Sequence, residues 1–253
     1  MALNPAPDWR IVAGSSTFSA STTMQQSHIR TVSGQRASAL ATNQVLRNTY
    51  LLLSLTLIFS AMTAGAAMAI NAPYGMGLIC SLAALGLLWF VVPRTADSSK
   101  GLYAVFAVTG LLGFGLGPVI NAYLAGFANG GQIVMMAMGT TGATFVGLSA
   151  YALKSGRDFS FMRQALMVGI LVAFIAAMGM LVASLFGVHF QPLALAISAV
   201  FAVLMCGLIL YQTSEIINGG ETNYILATIG LYVAIYNLFT SLLHLLGFGL
   251  GED

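Results

Sequence analysis

Residues 205–247 read MCGLILYQTSEIINGGETNYILATIGLYVAIYNLFTSLLHLLG. Two apolar runs meet there at a short polar joint holding Glu215, Asn218, Gly219, Gly220, Glu221, Asn223 and, at its end, Tyr224. On the second run, steps of four and three residues from Asn223 reach Ala227, Gly230, Ala234, Asn237, Ser241 and His244. That spacing keeps side chains on one side of a helix. Every residue on this face is small or polar, whereas Leu, Ile, Val, Tyr and Phe dominate the rest. In lipid such a face turns inward, because small residues let backbones approach and polar ones need partners. The sequence therefore predicts that this last helix is the packed centre of a bundle.

Composition sets the medium. Of 253 residues, 58% are hydrophobic and only 6% charged, against about 25% charged in a soluble domain. So little polar surface cannot cover a water-soluble globule, and the chain reads as an all-α polytopic membrane protein in a lipid bilayer. Seven apolar runs, at about 50–70, 76–92, 102–122, 132–153, 165–187, 193–214 and 223–247, each come near the roughly 20 residues that a spanning helix needs. The expected organisation is a tail over 1–48, a seven-helix domain over 49–247 and a short tail over 248–253. The first tail is rich in Ser, Thr, Ala and Gln and has no continuous apolar core of a signal peptide. Its few large apolar residues predict disorder.

Basic residues fix the expected orientation. Arg10, Arg30, Arg36 and Arg47 precede the first helix, Arg94 and Lys100 follow the second, and Lys154, Arg157 and Arg163 follow the fourth. Seven alternately threaded helices put all nine on one side. The N-terminus is thus expected in the cytoplasm, with Gly251, Glu252 and Asp253 outside. Six helices would bring the C-terminus back inside.

Glycines crowd the third helix (Gly110, Gly113, Gly115, Gly117, then Pro118) and the fourth (Gly139, Gly142, Gly147). Gly113 and Gly117 form a GxxxG pair suited to close helix packing. A nucleotide-binding reading needs a strand–turn–helix context that is absent here. Cys80 and Cys206 lie within apolar runs, where they read as small buried residues.

Catalysis and metal binding find little support. Ser149 and His244 are the intramembrane pair to test for a nucleophile and base. Threading places them at opposite ends, roughly 30 Å apart at a helical rise of 1.5 Å per residue. His28, His189 and His244 are isolated, with no carboxylate at ligand spacing. His244 reads instead as a hydrogen-bonded residue near the outer interface. The scattered basic residues follow topology and give no nucleic-acid surface, and nothing in the sequence points to a cofactor. Glu221 is placed to cap the positive end of the last helix. For Glu215 two readings stay open, a solvated turn residue and an ion-path residue at membrane depth. Gln212 and Asn237 add polar groups to the bundle interior, read chiefly as structural hydrogen-bonding residues.

The stretch from Ile209 to Gly247 resembles the closing signature of the Bax inhibitor-1 family of seven-helix membrane proteins, nearest its bacterial YccA branch. VLRNTYLLLSLTL, GLLGFGLGPVINAY, SAYAL with KSGRDFSF, and LAISAVFAVLMCG agree as well. The resemblance covers about Thr42 to Gly247. It implies six helices around a central seventh, in agreement with the small-polar face. It also implies two functions. Several members are pH-sensitive calcium leaks whose sensor is a pair of aspartates; at those positions this chain has Gln212 and Ala234, neither of which ionises. The YccA branch is associated with the membrane ATP-dependent protease FtsH, as substrate and modulator, with the N-terminal tail as the degradation handle. The resemblance thus favours a non-enzymatic inner-membrane protease modulator over a cation leak.

Overall fold

The computed structural model describes the backbone of residues 16–188 and 190–251, and side chains from residue 42 onward within those ranges. His189, Glu252, Asp253 and residues 1–15 lie outside the described residues, as do the side chains of His28, Arg30 and Arg36. The chain divides into two units, 1–43 and 44–253, and the second is the helical bundle.

Among the described residues, seven helices are long and apolar enough to cross a membrane. Helix α1 is Ser16–Ala69, with its membrane-length part beginning at Thr42. Helical backbone over 16–48 differs from the unstructured tail that composition predicts. Between Ser16 and Arg47 the chain has no Pro and a single Gly, Gly34, so nothing local breaks a helix once one has formed. The other spans are α2 Tyr74–Thr95, α3 Lys100–Gly126, α4 Gly130–Ser155, α5 Arg163–Leu185, α6 Gln191–Ile217 and α7 Tyr224–Leu250. Since α7 continues to Leu250, it takes in part of the C-terminal tail expected from 248 onward. Span α2 is interrupted by a π-helical turn at Leu87–Val91, just before Pro93. Proline has no N–H and its ring clashes with the carbonyl four residues back, and a wider turn relieves both problems.

The centre of the bundle is α7. Of its most apolar 18 residues 61% are buried, against 11% in α5 and α6. Ile225, Ile229, Leu231, Tyr232, Ala234, Ile235, Leu238 and Leu243 contribute to a core shared with the other helices. Helices α3, α4 and α6 pack on α7 directly, while α5 packs mainly on α6. Buried hydroxyls tie α1 to the centre: Ser60 Oγ and Tyr232 Oη lie 2.6 Å apart, and Thr228 Oγ1 donates to Thr49 O at 3.3 Å. Tyr232 Oη also donates to Thr109 O of α3, at 3.2 Å.

The glycine-rich α3 does what its spacing predicts. A Cβ on Gly113 would meet the Ser60 carbonyl and the Thr63 hydroxyl of α1, and one on Gly117 would meet Ala67 and the Ala64 carbonyl. Gly115 faces the other way, toward Gly77 and Cys80 of α2. In α4 the expectation fails. A Cβ on Gly139, Gly142 or Gly147 would meet nothing within 4 Å, so among the described residues these glycines abut no other helix. Glycine spacing marks where approach is possible; the neighbours decide whether it happens.

Candidate functional site: the polar interior at the basic end

The connections bearing Arg94, Lys100, Lys154, Arg157 and Arg163 gather at one end of the bundle, together with the joint between α6 and α7. Two side chains lock them there. Asn223 accepts from the backbone N–H groups of Ile225 (2.9 Å) and Leu226 (3.4 Å), capping α7, while its amide donates to Ala96 O (3.0 Å) and Asp97 Oδ1 (2.9 Å). Ser214 of α6 accepts from the Phe159 N–H and donates to Arg157 O, at 3.1 and 3.0 Å, and accepts from the Asn218 amide. The α2–α3 and α4–α5 connections are thus both pinned to the α6–α7 joint.

The cap on α7 is Asn223 and not Glu221, which corrects the sequence reading. The Glu221 carboxylate accepts from the Asn223 N–H at 2.8 Å and so holds the capping residue itself. An Asn at the N-cap bonds the free N–H groups directly, which leaves Glu221 one step outside. Glu215 is also clarified. Its backbone carbonyl accepts from the Gly220 and Glu221 N–H groups at 2.8 and 3.2 Å, and its carboxylate lies over Gly220. The chain turns back through Gly219 at φ 75°, a left-handed conformation that glycine adopts without penalty. Glu215 thus sits half-buried in the last turn of α6, where its carbonyl closes the joint.

Gln212 lies deeper. Its amide packs onto α7 where Gly230 has no side chain; a Cβ there would come within 2.6 Å of Nε2. Ala234, fully buried, follows one turn later. Gln212 thus lies across the α6–α7 contact against the turn of α7 that precedes Ala234. Asn237 donates to Val233 O of its own helix at 2.8 Å, while His244 Nδ1 pairs with Ser198 Oγ of α6 at 2.8 Å near the far end. Ala227 and Ser241 are buried, as the packing face requires, and Tyr224 packs at the edge of the core. Ser149 lies six residues from the basic end of α4 and His244 six from the opposite end of α7, so no hydrolytic pair forms. Among the described residues no three His, Cys, Asp or Glu side chains converge as a metal site.

Among the described residues, five buried polar atoms have no hydrogen-bond partner: Thr49 Oγ1, Tyr50 Oη, Ser149 Oγ, Gln212 Oε1 and Thr213 Oγ1. They belong to α1, α4 and α6, each on the turns nearest the basic end. Such groups are costly in an apolar interior. Each marks a place in the interior suited to polar company. Sequence reading reached Gln212 and tested Ser149 for another role. It missed Thr49, Tyr50 and Thr213, as it missed the Ser60–Tyr232–Thr109 network, because single hydroxyls inside apolar helices carry no pattern.

A bundle of seven membrane-length helices with a buried central helix defines the class of protein. The chain belongs to the family described as "Inhibitor of apoptosis-promoting Bax1", whose model matches residues 42–250. It is 48% identical over 216 residues to the "Modulator of FtsH protease YccA" of Escherichia coli K12, covering 85% of this chain and 95% of that protein. A membrane protein of Vibrio cholerae is also 48% identical, over 208 residues, covering 82% of this chain and 91% of its own length. A protein of Pseudomonas aeruginosa is 44% identical over 209 residues, covering 83% and 91%.

Proposed function

We propose that this protein resides in the bacterial inner membrane, binds the membrane ATP-dependent protease FtsH and modulates it. The observation that carries this reading is the 48% identity to a protein named as a modulator of that protease, over nearly its whole length. The handle is the segment before Thr42, whose Ser, Thr, Gln and Ala content leaves little to bury. A processive unfoldase starts from the part of a chain that opens most cheaply. The bundle that follows is held by the Gly113–Gly117 contact, the Tyr232 network and the Asn223 and Ser214 locks, all of which resist extraction. A substrate that is gripped but slow to unfold occupies the protease.

Co-purification from native membranes at endogenous expression tests the partnership, and deletion of residues 2–40 tests the handle. The reading expects FtsH to come with the full-length protein, and the deletion to slow degradation and relieve protease inhibition together. Intact protein recovered without FtsH under gentle extraction removes the reading.

A second reading, a pH-sensitive cation leak, draws on Gln212 Oε1 and the four other unpartnered polar atoms toward the basic end. Against it stand Gln212 and Ala234, which cannot ionise. Calcium or proton flux in liposomes, abolished by Glu215→Gln, would place the leak first.

A further inference from the structure

A groove of about 450 Å3 opens on the side of the bundle between α1 and α4. Its walls carry small residues, Ala61 and Gly65 on α1 and Gly142 on α4, and its floor is formed by Tyr232, Ile235 and Phe239 of α7. The floor side chains are almost fully buried, whereas Ala61, Gly65 and Gly142 are exposed. A Cβ on Gly65 or Gly142 would meet nothing within 4 Å. At one end of the groove α1 and α4 touch, with the rings of Tyr50 and Phe145 6.0 Å apart. Beyond that contact the small residues leave the two helices parted. This is the opposite of Gly113 and Gly117, where missing side chains are filled by a neighbouring helix.

The chemistry of the groove selects its occupant. Its hydroxyls are already engaged: Ser60 with Tyr232, Tyr232 with Thr109 O, and Thr141 with Ala137 O at 2.7 Å. Water and polar ligands gain nothing from such a wall. An empty groove would forfeit dispersion contacts along its length. Every lining segment lies within a membrane span, so the medium at its mouth is hydrocarbon. The α1 and α3 segments that line it, 57–68 and 116–120, lie toward the ends of those helices remote from Arg47 and Lys100.

We propose that this groove is a binding site for one phospholipid acyl chain, from the leaflet opposite the basic end, retained against the central helix and not exchanging as bulk lipid does. The chain fills the gap between α1 and α4 and rests on Tyr232, Ile235 and Phe239. It thereby braces α1 against α4 beyond the Tyr50–Phe145 contact.

Full-length protein is reconstituted in phosphatidylethanolamine–phosphatidylglycerol vesicles doped with phosphatidylcholine bearing a diazirine in mid-chain. Adducts are mapped by mass spectrometry after irradiation. The internal reference is the α5 face, where Leu171, Val172 and Ile175 are exposed to ordinary lipid. The site predicts adduct yields on Ala61, Gly65 and Met138 about tenfold above that face, equivalent to about 1.4 kcal/mol of preferential residence. Filling the groove with Gly65→Leu and Gly142→Leu should bring its yield down to the α5 level and leave α5 unchanged. Equal yields on the two faces of the unaltered protein mean exchanging annular lipid and overturn the proposal. So does a groove free of lipid adducts but cross-linked to a second copy or to another transmembrane helix. Both readouts come from the unaltered protein and stand even if the double variant misfolds.

Discussion

Asn223 shows how much one side chain does at the basic end. It caps α7 and reaches across to Ala96 and Asp97. Losing an Asn cap costs about 1 kcal/mol, and Asn223→Ala loses the cross-connection as well. The variant should melt at lower temperature in detergent, followed by the exposure of Cys80 and Cys206 to a thiol-reactive dye. Asn223→Asp keeps the capping acceptor but sets a carboxylate against Asp97 and Ala96 O in place of the donor, so it too should melt below the unaltered protein. Gln212 makes the opposite prediction. Its Oε1 is buried without a partner, and replacing such a group by an apolar side chain of similar shape is near neutral or stabilising. Gln212→Leu should therefore keep or raise the melting temperature, and a clear drop would mean that its carbonyl has a partner in the membrane.

At the scale of helices, packing rests on which neighbour each small residue meets. Gly113→Leu drives a side chain into Ser60 and Thr63, and overpacking of this kind costs about 1–3 kcal/mol or more. Gly139→Ala puts a methyl where nothing lies within 4 Å and removes a helix-interior glycine, which gains about 0.5–1 kcal/mol. Size-exclusion profiles after a heat step should show the first variant aggregating and the second persisting beyond the unaltered protein. Tyr232→Phe separates the two kinds of link between helices. It keeps the ring on the groove floor and deletes the bridge to Ser60 and Thr109. Hydrogen bonds between membrane helices average about 0.6 kcal/mol, so its destabilisation should be smaller than that of Gly113→Leu in the same assay.

For the molecule as a whole, the prediction concerns sidedness. The basic connections share an end with the α6–α7 joint, and the positive-inside rule puts that end in the cytoplasm. In a background with Cys80→Ala and Cys206→Ala, Thr222→Cys should react with a membrane-impermeant thiol reagent only in inside-out vesicles. Val188→Cys, at the other end, should react only in right-side-out cells. The reverse pattern would turn the bundle over and place the segment before Thr42 beyond the reach of a cytoplasmic unfoldase, removing the protease proposal with it.

The sequence by itself determined the medium, the number of spans and the centre. A charged fraction of 6% admits only lipid, and the face from Asn223 to His244 admits only the middle of a bundle. Both follow from local chemistry read along one chain, as does the GxxxG contact of α3. Gly139, Gly142 and Gly147 look no different in sequence from Gly113 and Gly117, yet they meet open space, because the occupant of the gap comes from another helix or from the bilayer. Glu221 and Asn223 stand equally close to the start of α7, and only backbone geometry gave the cap to Asn223. The lone hydroxyls of Thr49, Ser149 and Thr213 became a polar interior only when α1, α4 and α6 were brought to one end. Periodicity within a helix is set by its own backbone and is legible in one dimension. Which side chain satisfies or fills another depends on segments far apart in the chain, and only the tertiary structure brings those together.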